Sequence, residues 1–128
     1  LALYAEVVEI VCPAQAVPGD HVDITVRIKN LYSAAIGILA YGALECGVIP
    51  WPVIDFPDNS ATVESGETWS FNGSFTMPGN PATIHAYSYW WGDDGNWHYD
   101  DELTASINPA AIAEPDVSDF RIQDYIKV

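Results

Sequence analysis

Positive charge is scarce in this chain of 128 residues: four Lys and Arg stand against 18 Asp and Glu, a formal net charge of −14. Such a surface repels nucleic acid and anionic lipid over a screening length of about 8 Å at physiological salt, which sets nucleic-acid binding aside. Long hydrophobic runs are also missing. Gly, Pro and polar residues interrupt every apolar stretch well short of the roughly 18 residues that span a bilayer, so no membrane insertion is expected. No segment repeats apolar residues at i, i+3, i+4 and i+7, which argues against amphipathic helices. Cysteine is limited to Cys12 and Cys46, neither with a second thiol or a His at metal-ligand spacing. They form either a disulfide, contributing about 3 kcal/mol by loop entropy, or two free thiols. The one methionine, Met77, reads as part of a TMPG turn. The opening residues LALYAEVVEI carry neither the basic start nor the apolar core of a secretory leader.

What is abundant is alternation between turn signals. HVDITVRIKN (21–30) places Val22, Ile24, Val26 and Ile28 on one face and Asp23, Thr25, Arg27 and Lys29 on the other, the pattern of a half-buried strand. LYAEVVEIVC (3–12) reads as a first strand ended by Pro13, and AIGILAYGALEC (35–46), apolar on both faces, as a central one. VIPWPVIDFPDN (48–59) holds too many prolines for a continuous ladder and reads as an edge or loop. TWSFNGSF points Trp69, Phe71 and Phe75 inward, and ATIHAYSYWW pairs across GDDGN with WHYDDELTASI as an aromatic hairpin. The fold class expected is all-β: an Ig-like two-sheet sandwich of about seven strands over 1–108. Its core is expected from Val22, Ile24, Val26, Ile28, Leu39, Trp69, Phe71, Phe75, Ile84 and Ile107. A linker, 109–119, and a C-terminal extended strand, 120–128, complete the chain.

The turn-plus-strand succession VPGDHVDITVRIKN, ESGETWSFNGSFTMPG and ATIHAYSYWW resembles the CARDB-like branch of Ig-like domains, found in prokaryotic surface proteins, with similar modules in phage virion proteins. The resemblance spans roughly residues 3 to 107. It implies a non-catalytic part in adhesion or architecture, in a tandem array or an assembly, and an extracellular, cell-surface or virion location.

Three groups of residues are candidates for function. In the terminal run FRIQDYIKV, Phe120, Ile122, Ile126 and Val128 alternate with Arg121, Tyr125 and Lys127. Such a run can pair with the sheet edge of another copy or begin the next domain of an array. Trp90, Trp91, Trp97 and Tyr99 in the hairpin 87–99 are candidates for stacking on sugar faces, the alternative being cross-strand packing pairs. Asp93, Asp94, Asn96, Asp100, Asp101 and Glu102 offer enough oxygens for a calcium ion, which takes six to eight, although their spacing is not that of an EF-hand loop. Asn72-Gly73-Ser74 is a glycosylation sequon. His21, His85 and His98 lie beside no nucleophile motif, and small sandwiches without inserted loops rarely form a catalytic cleft, so no enzyme is expected. The leading expectation is a structural module of a filament, surface layer or virion joined to copies of itself through 120–128. The alternative is a carbohydrate-binding module.

Overall fold

The structure, a computed structural model, describes residues 1–111. The terminal run with Phe120, Arg121, Ile122, Tyr125, Ile126, Lys127 and Val128 lies outside the described residues, as does most of the expected linker. Eight strands are described: β1 (Ala5–Val11), β2 (Gln15–Ala16), β3 (His21–Asn30), β4 (Ile36–Glu45), β5 (Ser60–Val63), β6 (Thr68–Thr76), β7 (Ala82–Trp91) and β8 (Trp97–Pro109). They form a three-stranded sheet, β1-β3-β6, and a five-stranded sheet, β2-β8-β7-β4-β5. This is the expected all-β two-sheet sandwich. Pro13 lacks the N–H that would extend β1, and after it the chain changes sheets, β2 pairing parallel to the end of β8 through Gln15–Asn108 and Ala16–Pro109. β8 thus runs one residue into the stretch read as linker.

The core between the sheets follows from the pleat. Val22, Ile24, Val26 and Ile28 of β3 and Phe71 and Phe75 of β6 are buried, as are Ile84 of β7 and Ile107 of β8. Two expected core residues are not. In β4 nearly every residue is apolar, so alternation carries no information, and the buried face is that of Ile38, Ala40 and Leu44, one residue out of step with Leu39. Trp69 has the parity of Phe71 but sits at the start of edge strand β6, beside Pro57, Asp58 and Ser60, and is 47% exposed. Met77, read as a turn residue, does bond Asp20 and Gly19 through its backbone, but its side chain is buried. Cys12 and Cys46 are both free thiols, and burial pushes the Cys12 thiol up from its ordinary pKa.

The Pro-rich segment covers strand edges that would otherwise be open. Leu44 N–H donates to Pro52 O and Ile54 N–H to Gly42 O, so the segment lines the half of β4 that β5 does not reach. Asp55 then exchanges two backbone bonds with Ser74 of β6, in the other sheet. Two edges are covered by one loop, a means of suppressing unwanted strand pairing. Its Ile54 and Phe56 are buried in the core. At the opposite end buried Asn30 holds the β3–β4 turn, its Nδ2 donating to Ala34 O and Val63 O while its Oδ1 accepts from Tyr32 N–H. Asn72 of the sequon is exposed and accepts from Thr25 Oγ1 across the outer face of the three-stranded sheet.

Candidate functional site

The outer faces of the two sheets differ in kind. On the three-stranded sheet the outward residues of β3 and β6 are Asp23, Thr25, Arg27, Lys29, Ser70, Asn72 and Ser74, a solvated polar surface. On the five-stranded sheet they are largely aromatic. Because Ala82, Ile84, Ala86 and Ser88 of β7 point inward, His85, Tyr87, Tyr89 and Trp91 point outward. A bulge beside Ser88, where β8 carries an extra residue at Asp100, resets the parity so that Trp97 and Tyr99 share that outer face with Glu102. β4 adds Leu39, opposite Tyr89, and Tyr41, opposite Tyr87.

These rings touch in cross-strand pairs. Trp91 and Trp97 meet at 5.1 Å between centroids, Tyr89 and Tyr99 at 5.9 Å, Tyr87 and Tyr99 at 6.2 Å, and Tyr41 stacks with Tyr87 at 6.0 Å. The hairpin aromatics thus pack on one another across the strands, while Trp91, Tyr41 and Tyr99 are also exposed, Tyr99 by 54%. A hollow of about 250 Å³ opens between Leu39, Tyr41, Tyr89 and Trp97. Burial, and then the nearby Glu102 charge, push the Tyr87 and Tyr99 phenols above their ordinary pKa, so both stay protonated and able to donate.

At one end of this face lies His85, its side chain only 13% exposed, between Glu102, which faces Nδ1 at 2.5 Å, and Glu45, which faces Nε2 at 2.9 Å. Trp51 of the Pro-rich segment stacks on the imidazole at 4.6 Å. Burial works to lower the His85 pKa, but the hydrogen bonds to Glu102 and Glu45 and their charges outweigh it, and the pKa is raised above 6.5. A raised folded pKa means that the stabilisation from this pairing is fully present below 6.5 and is lost as pH rises through the folded value. The melting temperature of the protein is thus expected to fall more steeply as pH rises above 6.5 than that of His85→Phe, which keeps the stacked ring and cannot titrate. Parallel melting curves of parent and variant against pH would refute that role.

Of the sugar-binding candidates, Trp91, Trp97 and Tyr99 share the outer face, whereas Trp90 points to the other side of β7, stacked on His98 at 4.5 Å and edge-on to Tyr4 at 4.5 Å. The sequence reading covered Tyr87 and Tyr89 within the hairpin 87–99 without singling them out, and it missed Leu39, Tyr41 and Trp51. The alternation Tyr87-Tyr89-Trp91 was a signal for the first strand of the platform, but the partners depend on cross-strand register.

The calcium candidates are not brought together. Asp100 accepts the backbone N–H groups of Leu3, Tyr4 and Ala5, and Asp101 accepts that of Val7. Asp94 pairs with His98 at 2.9 Å, and that bond, together with the Asn96 N–H, lowers its pKa although partial burial opposes it. Glu102 is turned to His85, and Asn96 and Asp93 sit exposed in the hairpin loop. Among the described residues no group of three acidic, His or Cys side chains converges as metal ligands would. No helix among them is long and apolar enough to cross a membrane.

No family model and no curated protein sequence matches the chain. Solved structures do. A CARDB domain from Pyrococcus furiosus, in complex with di-metal ions, aligns with a TM-score of 0.56 at 12% identity, over 84% of this chain and 86% of that one. The Pseudomonas fluorescens alkylpurine DNA glycosylase AlkC, bound to DNA containing an abasic site analog, aligns at 0.54 and 8% identity over 82% of this chain, which spans only 30% of the glycosylase. A Paenibacillus cycloisomaltooligosaccharide glucanotransferase complexed with cycloisomaltoheptaose aligns at 0.53 and 18% identity, over 91% of this chain and 15% of the enzyme. At these identities the likeness is one of architecture alone, that of a two-sheet β-sandwich.

Proposed function

We propose that the chain is a non-catalytic module of a surface or virion protein and that it binds saccharide chains across the aromatic outer face of its five-stranded sheet. The observation that carries this reading is the asymmetry of the two outer faces. Scattered apolar residues are ordinary on a protein surface, whereas a contiguous field of exposed rings over three adjacent strands is not. Rings offer their faces to the C–H faces of successive sugars, and protonated phenols with Glu102 and Glu45 at the margin serve the hydroxyls. Joining to neighbouring copies through 120–128 is a separate proposal that rests on the sequence pattern alone, and saccharide binding does not depend on it.

Affinity electrophoresis through gels containing soluble polysaccharides, α-glucans, β-glucans, xylan and solubilised chitin among them, tests the saccharide reading. At least one polysaccharide is expected to retard the parent. Trp97→Ala or Tyr99→Ala should each weaken that interaction about tenfold, the equivalent of ~1.4 kcal/mol, while Tyr32→Ala, away from the platform, leaves it unchanged. Retardation by none of the polysaccharides, or equal retardation of the platform variants and the parent, would overturn it.

A further inference from the structure

Behind the hairpin, on the side to which Trp90 turns, lies a second aromatic site of a different shape. It is a pocket of about 310 Å³ lined by Tyr4, Tyr32, Trp90, Asp93, Asp94 and His98, at the small end of the roughly 300–1,000 Å³ range of ligand pockets. Tyr4 stands at 65° to Trp90, with centroids 4.5 Å apart, and at 85° to Tyr32, with centroids 5.3 Å apart. Rings set at such steep angles make walls, not a platform for the flat face of a sugar. Aromatic walls combined with carboxylates are the surroundings that an organic cation prefers, since ring faces and acid oxygens both carry negative potential. One of the two acids is available: Asp94 is already paired with His98, but Asp93 has no hydrogen-bond or ion-pair partner among the described residues. The net charge of −14 adds a long-range field that draws cations towards the surface.

We infer that this pocket binds an organic ammonium group, with Tyr4 and Tyr32 as its aromatic walls, Trp90 packed behind them against His98, and Asp93 as its counter-charge. The group belongs either to a free quaternary ammonium compound or to a lysine side chain of another protein segment, and the same cage chemistry serves both.

Isothermal titration of the full chain with three probes tests this: choline, its uncharged isostere 3,3-dimethylbutan-1-ol, and Nα-acetyl-lysine N-methylamide. At least one of the two cations is expected to bind ten times or more tighter than the uncharged isostere. Choline as the tighter cation points to a free ligand, the lysine amide to a protein segment. Asp93→Asn and Tyr32→Ala, both at exposed positions outside the core, should each weaken binding at least fivefold and leave the melting temperature within a few degrees of the parent. Tyr99→Ala, on the opposite face, should have no effect on cation binding. The inference is overturned if the isostere binds as well as the cations, if neither cation binds at tens of millimolar, or if Asp93→Asn and Tyr32→Ala bind like the parent.

Discussion

Gly73→Val is expected to destabilise the sandwich by about 2–3 kcal/mol, the usual cost of overpacking a tight core, although strand propensity alone argues that it should help. Gly73 lies within β6, opposite Ile24, and its backbone is not in the left-handed region, so a β-branched residue there would ordinarily favour the strand. Packing decides otherwise. A Cβ at this position would lie 2.6 Å from Cε1 and 2.8 Å from Cδ1 of Phe56. The ring has little room to retreat, because on β4 a Cβ at Gly42 would meet its Cε2 at 3.2 Å. Phe56 is thus wedged between the backbones of two strands from opposite sheets, and both glycines make room for it. In a domain of this size, 2–3 kcal/mol corresponds to a loss of roughly 10–15 °C in melting temperature. Phe56→Ala removes the obstacle at the cost of a cavity, typically about 3–5 kcal/mol. The double variant should be clearly more stable than the sum of the two single losses predicts, because the two changes share one contact. A Gly73→Val protein melting within a few degrees of the parent, or a strictly additive double variant, would show that Phe56 is not held as described.

How much of this was legible beforehand depends on how much each segment's pattern excludes. β3 alternates cleanly, so HVDITVRIKN states its own buried face, and every inward residue read from it is buried. β4 is apolar on both faces for a physical reason: its inward side meets the core and its outward side belongs to the aromatic platform. Its register was therefore unreadable, and Leu39 was placed on the wrong side. Phe56 could not be read as a core residue because the fact that admits it, glycine at both 42 and 73, links three segments distant in sequence. The platform was half visible. The hairpin rings stood out, and the alternation of β7 itself puts Trp90 and Trp91 on opposite faces, but a bulge at Asp100 and the pairing of β4 with β7 decide which rings lie together across the strands. Consecutive acids misled most, because proximity in sequence is not convergence in space: along β8, Asp101 turns towards β1 and Glu102 towards His85.

That division of labour leads to the second large effect, at Asp100. β1 is a strand of only seven residues, and on the side away from β3 no strand among the described residues pairs with it. β8 meets it with side chains. The bulge sets Asp100 and Asp101 side by side, so that one carboxylate takes the N–H groups of Leu3, Tyr4 and Ala5 and the next takes that of Val7. Ser88, fully buried, completes the clamp by donating to Ala5 O while its hydroxyl accepts from Asp101 N–H. Hydrogen bonds to a charged acceptor contribute about 1.5–3 kcal/mol each. Asp100→Ala removes three, but water can replace the exposed one at Leu3, so a total loss of roughly 3–5 kcal/mol is expected. Asp100→Asn should recover part of it, since the amide keeps one acceptor oxygen and offers an unwanted donor in place of the other. The loss should be local before it is global: in native-state hydrogen exchange, the amides of Tyr4, Ala5 and Val7 lose protection well before those of β3, as expected where a segment opens alone. The same experiment separates the clamp from a calcium site at these acids. If Asp100 acts by holding β1, excess chelator leaves the melting of a calcium-loaded parent unchanged, and Asp100→Ala lowers it equally with and without calcium. A melting temperature that falls on chelation, with Asp100→Ala abolishing the difference, would assign these carboxylates to an ion instead of to the edge of the first strand.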